Sequence, residues 1–230
     1  MTMKRFVIAL VLVAGGMLGT ACVQGEEAAP VAAPIITLPA PEFKSAVTLE
    51  QAIRDRRSVR QYAATPLTLA QVSQLLWAAQ GITEPTRGLR TAPSAMATYP
   101  LRVYLVAANV TDLPAGIYRY LPQGHQLELV VVGDQRANVG GQNQMKTAPA
   151  LLVYTADLTA TAKRVGEKMA RDWACLEAGH SAQNVLLEEV ALGLIGVPMG
   201  GFNAATLRPA LKLPESDELL YVLSAGTNGQ

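Results

Sequence analysis

EAGHSAQNVLLEEVALGL, residues 177–194, lies in the longest helical stretch of the chain, predicted over 161–192, and the fold can be read outward from it. Within this stretch Glu177, His180 and Asn184 recur at spacings of three and four, so they share one helix face. That face is either a catalytic stripe or an ordinary solvated and hydrogen-bonded surface, since both show the same spacing. Just upstream, ALLVYT at 150–155 is a continuous apolar run suited to a strand buried on both faces. Further back, 101–107, 116–121 and 126–132 read as strands, the last two joined by the turn PQGH at 122–125, while 134–146 is weakly helical around Gly140 and Gly141. Two capping boxes, TLEQ at 48–51 and TLAQ at 68–71, open helices. The first runs over 49–57; the second carries Leu69, Val72, Leu75, Leu76 and Ala79 on one face and stops at Gly81. Downstream, a short helix at 204–211 and a strand at 219–224 close the chain. The pattern mixes α and β without the regular βαβ alternation of a dinucleotide fold.

With 230 residues, 50% hydrophobic and 16% charged, the chain builds one well-buried domain and is too short for two large ones. A net charge of +1 supplies no single-sign field for a nucleic-acid backbone, which argues against nucleic acid as a partner. No apolar run reaches the length of an ordinary spanning helix, which excludes an integral membrane transporter. Residues 1–21 read as an export signal, with Lys4 and Arg5 ahead of an apolar stretch and small Gly19, Thr20 and Ala21 at its end. Cys22 follows where a bacterial lipoprotein carries its lipid, although Gly19 stands where such signals usually have leucine. Lipidation at Cys22 and simple cleavage after Ala21 are the two outcomes. The expectation is an exported, membrane-anchored lipoprotein, periplasmic or at the cell surface. Residues 22–47, rich in Ala and Pro, read as a tether, and the folded domain as 48–230. Cys175 then has no partner in the chain and is expected to pack as a small buried hydrophobe. With two histidines and no further cysteine, no metal site is expected.

RRSVR at 56–60 places three guanidinium groups and a hydroxyl at the exit of the first helix. It is either a solvated basic face or an anion site, because guanidinium forks match phosphate oxygens bidentately. Three pieces in order, RRSVRQY at 56–62, APSAMATYPLRVY at 92–104 and the 177–194 stretch with its following glycine loop, resemble the nitroreductase superfamily of FMN-dependent oxidoreductases. The resemblance covers residues 48–226 and is closest to the SagB-type branch, the dehydrogenases related to thiazole- and oxazole-forming enzymes. It implies an α+β sandwich, a central mostly antiparallel sheet flanked by helices, paired as an intertwined homodimer with FMN in the crevice between subunits. It assigns Arg56, Ser58 and Arg60 to the flavin, with Arg57 as an additional phosphate contact. Pro93, Ser94, Ala95 and Met96 correspond to a loop that contacts the cofactor, commonly from the partner subunit, and Met96 stands where many relatives have glycine. The segment 196–201, with Gly200 and Gly201, matches the glycine-containing loop whose amides approach the cofactor. In the same setting His180 is mainly structural.

The resemblance further implies hydride transfer through flavin N5 between a donor, NAD(P)H or a small organic molecule, and an acceptor such as a quinone or nitroaromatic. The alternative is a non-catalytic exported lipoprotein that uses the scaffold to bind flavin or another planar ligand. Azole-forming relatives carry a Lys-Tyr pair shortly before the EAGH helix; here Lys168 is kept and Met169 replaces the tyrosine. Lys168 is thus the one candidate base, and an incomplete one. Ser94 lacks a nucleophile elbow, and no phosphate-binding GxxxxGK[ST] loop is present.

Overall fold

The computed structural model describes residues 33–139 and 141–228. In chain order the elements are β1 (Ile35–Thr37), α1 (Leu49–Asp55), β2 (Leu67–Thr68), α2 (Leu69–Gln80), β3 (Ile82–Glu84), β4 (Leu89–Arg90), β5 (Leu101–Ala107), β6 (Val110–Thr111), β7 (Gly116–Leu121) and β8 (Gln126–Val132). They continue with α3 (Arg136–Val139), α4 (Asn143–Thr147), β9 (Ala150–Asp157), α5 (Thr159–Val165), α6 (Glu167–Ala191), β10 (Ile195–Met199), α7 (Ala204–Ala210) and β11 (Asp217–Gly226). Seven strands form one sheet in the order β1-β8-β7-β5-β9-β11-β10. Every pairing in it is antiparallel. The expected α+β sandwich with a central antiparallel sheet is therefore present.

The sheet is buried on both faces because successive side chains alternate between them. Along β9, Leu152 and Tyr154 join the cluster built with Val72, Leu75 and Leu76 of α2 and Ala178, Ala182 and Val185 of α6. Leu151 and Val153 point the other way, into the layer of Val139, Met145 and Leu207 from α3, α4 and α7. Alanines on the inner stripe of α6 let this helix lie close to the sheet, but Glu177 and Glu189 occupy the same buried stripe.

Thr68 forms the full capping box: its hydroxyl accepts from Gln71 N at 3.1 Å and Gln71 Oε1 accepts from Thr68 N at 2.9 Å. At Thr48 the hydroxyl half forms, accepting from Gln51 N at 3.2 Å. The single helix expected over 161–192 is two helices. Gly166, at φ 84, takes a left-handed turn that ends α5 and starts α6 at a new angle.

The tether expected over 22–47 is the main correction. Residues 22–32, with Cys22 and the export signal before them, lie outside the described residues, but 33–47 pack on the domain. β1 pairs with β8 and Leu38 enters the core at 5% exposure. Gln74 clamps Glu42, accepting from its N–H at 2.9 Å and donating to its carbonyl at 3.0 Å. Ser73 donates to the Pro39 carbonyl, and Phe43 meets Trp77 edge-on at 5.3 Å. Pro and Ala make this segment poor in local signal, while its partners lie far along the chain. Cys175 is also corrected: it is exposed on the outer face of α6 rather than buried.

Candidate functional site

The 56–60 stretch leaves α1 at Arg56 and becomes extended, running beside the edge strand β10. Ser58 bridges to Gly196 in parallel, and Val59 N donates to the Gly196 carbonyl at 2.9 Å. This brings together two segments that the sequence separates by nearly 140 residues. Arg57 is spent locally, since its Nη1 donates at 2.8 Å to the carbonyls of both Arg54 and Arg56. Those carbonyls lie at the helix C-terminus, where unsatisfied acceptors gather. Arg56 and Arg60 have no carboxylate within 4.0 Å among the described residues.

Beside them lies a cavity of about 340 Å³ lined by Arg56, Arg57, Val59, Glu189, Gly193 and Gly196. Glu189 is 2% exposed and its Oε1 has no hydrogen-bond partner among the described residues. Burial pushes its carboxyl up to about 8, against the opposing pull of Arg56. Tyr62 closes this region by hydrogen bonding to Ser224, whose Oγ also accepts from Val197 N at 3.2 Å. Burial pushes the Tyr62 hydroxyl up to about 12.

Residues 93–96 lie beside the middle of α6, with Ser94 next to Glu177. Ser94 Oγ accepts from Tyr99 N at 2.9 Å, and Thr98 Oγ1 donates to the Ala95 carbonyl at 3.0 Å, folding the loop on itself. Met96, Ala97 and Tyr99 all have left-handed backbones, with φ of 54, 51 and 45. A side chain in that region costs about 1–2 kcal/mol, so the loop is held in a shape that glycine would adopt more easily at Met96. Met96 itself is exposed. Glu177 is buried behind the loop, its Oε1 without a partner among the described residues. Burial pushes its carboxyl up to about 7, while the Ser94 hydroxyl and the Arg90 guanidinium pull it back. Glu177 and Glu189 are twelve residues apart on one helix, about 18 Å at 1.5 Å per residue. Within one chain the 56–60 segment thus neighbours Glu189, while Ser94 of the 93–96 loop neighbours Glu177.

The other sequence candidates divide. Residues 196–199 are strand β10 and not a loop; Gly200 and Gly201 follow it and are exposed. Gly201 accepts from Gln142 Nε2 at 2.9 Å, whereas a Cβ on Gly200 would meet open space. Lys168 is on the first turn of α6, its side chain 91% exposed, paired with Asp172 at 2.8 Å. On the proposed polar stripe, His180 is exposed and Asn184 donates to the Thr91 carbonyl at 3.2 Å. Sequence reasoning missed Glu189 and Arg90 as site residues and placed Glu177 only on the polar stripe with His180 and Asn184. The two glutamates could have been found, because they stand in phase with Ala174, Ala178, Ala182 and Val185 on the apolar stripe.

The model of the nitroreductase family matches residues 53–227. The chain is 38% identical over 179 residues to a nitroreductase-family protein of Methanocaldococcus jannaschii, covering 76% of this chain and 89% of that one. Among solved structures, one of the same family from Ralstonia eutropha superposes with a TM-score of 0.76 at 34% identity, covering 84% of this chain and 89% of the other. Another, from Desulfovibrio desulfuricans and in complex with FMN, gives a TM-score of 0.54 at 24% identity over 79% of this chain and 87% of its own, a likeness of fold.

Proposed function

The chain belongs to the nitroreductase family, and on that premise we propose that it is an FMN-dependent oxidoreductase acting as a homodimer. The observation that carries this reading is the placement of the 56–60 and 93–96 segments along α6. Among the described residues Arg56 and Arg60 have no carboxylate within 4.0 Å and Arg56 lines a cavity with Glu189, while the 93–96 loop packs by Glu177, about 18 Å along α6 from Glu189. A second copy that brings its 93–96 loop to the first copy's arginines completes one site from two halves. The donor set fits FMN: unpaired guanidinium groups and the exposed Ser58 hydroxyl suit a phosphate or an electron-accepting ring edge.

In this reading Arg56, Ser58 and Arg60 of one protomer hold the cofactor. Pro93, Ser94, Ala95 and Met96 of its partner, with Gly200 and Gly201, bound the space around it. Bound FMN supplies two-electron chemistry, accepting hydride from a donor and passing it to an acceptor such as a quinone or nitroaromatic. The guanidinium groups stabilise the negative charge that develops when electrons arrive. The folded 93–96 loop excludes water from the reacting face, and no titratable acid is required there.

Export as a lipoprotein modified at Cys22 is part of the proposal, and it favours a small organic donor over NAD(P)H, a cytoplasmic currency. Placement within the SagB-type branch rests on the sequence resemblance. The decisive experiment uses the purified full chain: its visible spectrum is recorded, then NAD(P)H or candidate organic donors are added without oxygen. Bound flavin that bleaches with a donor and recovers with a quinone supports the reading. Protein that stays colourless after FMN loading and desalting would overturn it. Intact mass and cell fractionation test the export, where an unprocessed Met1 in the soluble fraction is the contrary result.

A further inference from the structure

A second cavity, of about 390 Å³, opens away from the 56–60 segment, between the start of β5, the β7–β8 turn and the first turn of α5. Among its lining residues are Gln80, Arg90, Tyr99, Arg102, Arg119 and Tyr120. Three arginines around one space suggest an anion site, but their partners differ. Arg102 is held by Asp157 at 2.8 Å and by Asp217, and Arg119 by Glu128 at 2.7 Å, so both are already neutralised. Arg90 has no carboxylate within 4.0 Å among the described residues. Its guanidinium donates once, from Nη1 to Gln80 Oε1 at 2.7 Å, and lies 4.7 Å above the centre of the Tyr99 ring.

Gln80 is 1% exposed and its Nε2 has no acceptor among the described residues. Arg119 Nε is a further buried donor without a partner among the described residues. Buried donors left unsatisfied are uncommon, because each forfeits its hydration without return. The acidic group facing Arg90 from α6 is Glu177, and burial pushes it up to about 7, which weakens it as a standing counter-charge. Asp157 also lines the cavity, engaged with Arg102, while Tyr99, Pro100, Tyr120 and Pro122 supply flat or apolar wall. One cation without an ion-pair partner within 4.0 Å among the described residues, an adjacent orphan amide and a flat wall of two tyrosines and two prolines suit a ligand with a single negative charge on a flat apolar body.

We propose that this cavity binds a small organic carboxylate, with the carboxylate at Arg90 and Gln80 and the apolar part between Tyr99 and Tyr120. No residue of 56–60 lines the cavity, but its wall residue Tyr99 donates to Ser94 of the loop assigned above to the flavin, so the 56/60 arginines separate the two readings in the test. The test is calorimetric titration of the full chain with benzoate, using benzamide and inorganic phosphate as the uncharged and multiply charged comparisons. Benzoate should bind, benzamide and phosphate should not, and Arg90→Gln should weaken benzoate by tenfold or more. Ala160 is exposed on α5 and lines the same cavity, so Ala160→Trp fills the space without disturbing the core and should also abolish binding. This second variant decides the matter if Arg90→Gln fails to fold. The double variant Arg56→Ala, Arg60→Ala should bind benzoate as the unmodified chain does. Benzoate binding unchanged in Ala160→Trp, binding lost in the 56/60 double variant, or a preference for phosphate would each overturn the proposal.

Discussion

Gly196 on β10 and Glu189 on α6 are packed so closely that a Cβ on the glycine would stand 2.5 Å from the glutamate's Oε1 and 2.6 Å from its Oε2. The same Cβ would collide with the Ser224 carbonyl oxygen on β11. The glycine is thus required by the close approach of a buried carboxyl and a neighbouring strand, not by a loop around a ligand.

Gly196→Ala should destabilise the protein by about 1–3 kcal/mol, the usual cost of overpacking a tight interior. Adding Glu189→Ala should leave most of that loss in place, because the Ser224 carbonyl belongs to the backbone and cannot swing aside. Urea unfolding of the two variants gives the comparison. Full recovery in the double variant would show that the carboxyl alone sets the limit.

Glu189 also predicts a pH dependence. Its carboxyl shifts from 4.5 to about 8 on folding, so the folded state holds the proton more tightly than the unfolded chain. The stability linked to that proton is fully present below pH 4.5 and is lost as pH rises through 8. Glu177, raised to about 7, acts in the same direction. Together they amount to a few kcal/mol, less whatever solvent relaxation recovers. Glu189→Gln should flatten the fall in melting temperature between pH 5 and about 8; an unchanged slope would locate the titration elsewhere.

The strands that alternate or run apolar were legible at once: β5, β7 and β8 have the bounds that their patterns predict, and the capping boxes set the starts of α1 and α2. The failures share a physical cause. β1 and β10 are edge strands, whose pairing is decided by distant partners, and β10 carries the Gly and Pro that usually mark a loop. The arginine cluster was visible as charge, but composition does not tell which arginine is free. Arg57 turns back on its own helix while Arg56 faces the cavity, a distinction set by the backbone turn at the end of α1.

The 33–47 segment should matter for stability. Leu38→Ala removes a buried side chain and should cost about 2–5 kcal/mol. A chain beginning at Thr48 should melt well below one beginning at Ala33, because it loses β1, the Glu42–Gln74 clamp and the cover over Trp77. Equal melting temperatures would return these residues to the role of a tether.

The double variant Arg56→Ala, Arg60→Ala should purify without flavin colour. Losing one charge-assisted contact weakens binding by roughly ten- to a hundredfold, and two such losses exceed what dialysis tolerates. Full FMN occupancy in a folded double variant would remove the anion site from the proposal.

Lys168 should be dispensable for flavin reduction, and azoline-containing peptides should not be oxidised. A lysine acts as a base when burial lowers its proton affinity and a substrate atom lies within reach. Here the side chain is 91% exposed and its ammonium pairs with Asp172 one turn along the helix. Neither feature is the burial that such a base needs. An exposed pair of this kind contributes at most a few tenths of a kcal/mol, so Lys168→Ala should also leave stability nearly unchanged. Met169, in the place of the relatives' tyrosine, is itself exposed and has no transferable proton. The measurement is mass spectrometry of an azoline peptide incubated with the FMN-loaded protein, followed for loss of two hydrogens. Loss that occurs in the unmodified protein and vanishes in Lys168→Ala would mean that the first turn of α6 rearranges on binding, burying the lysine as the base.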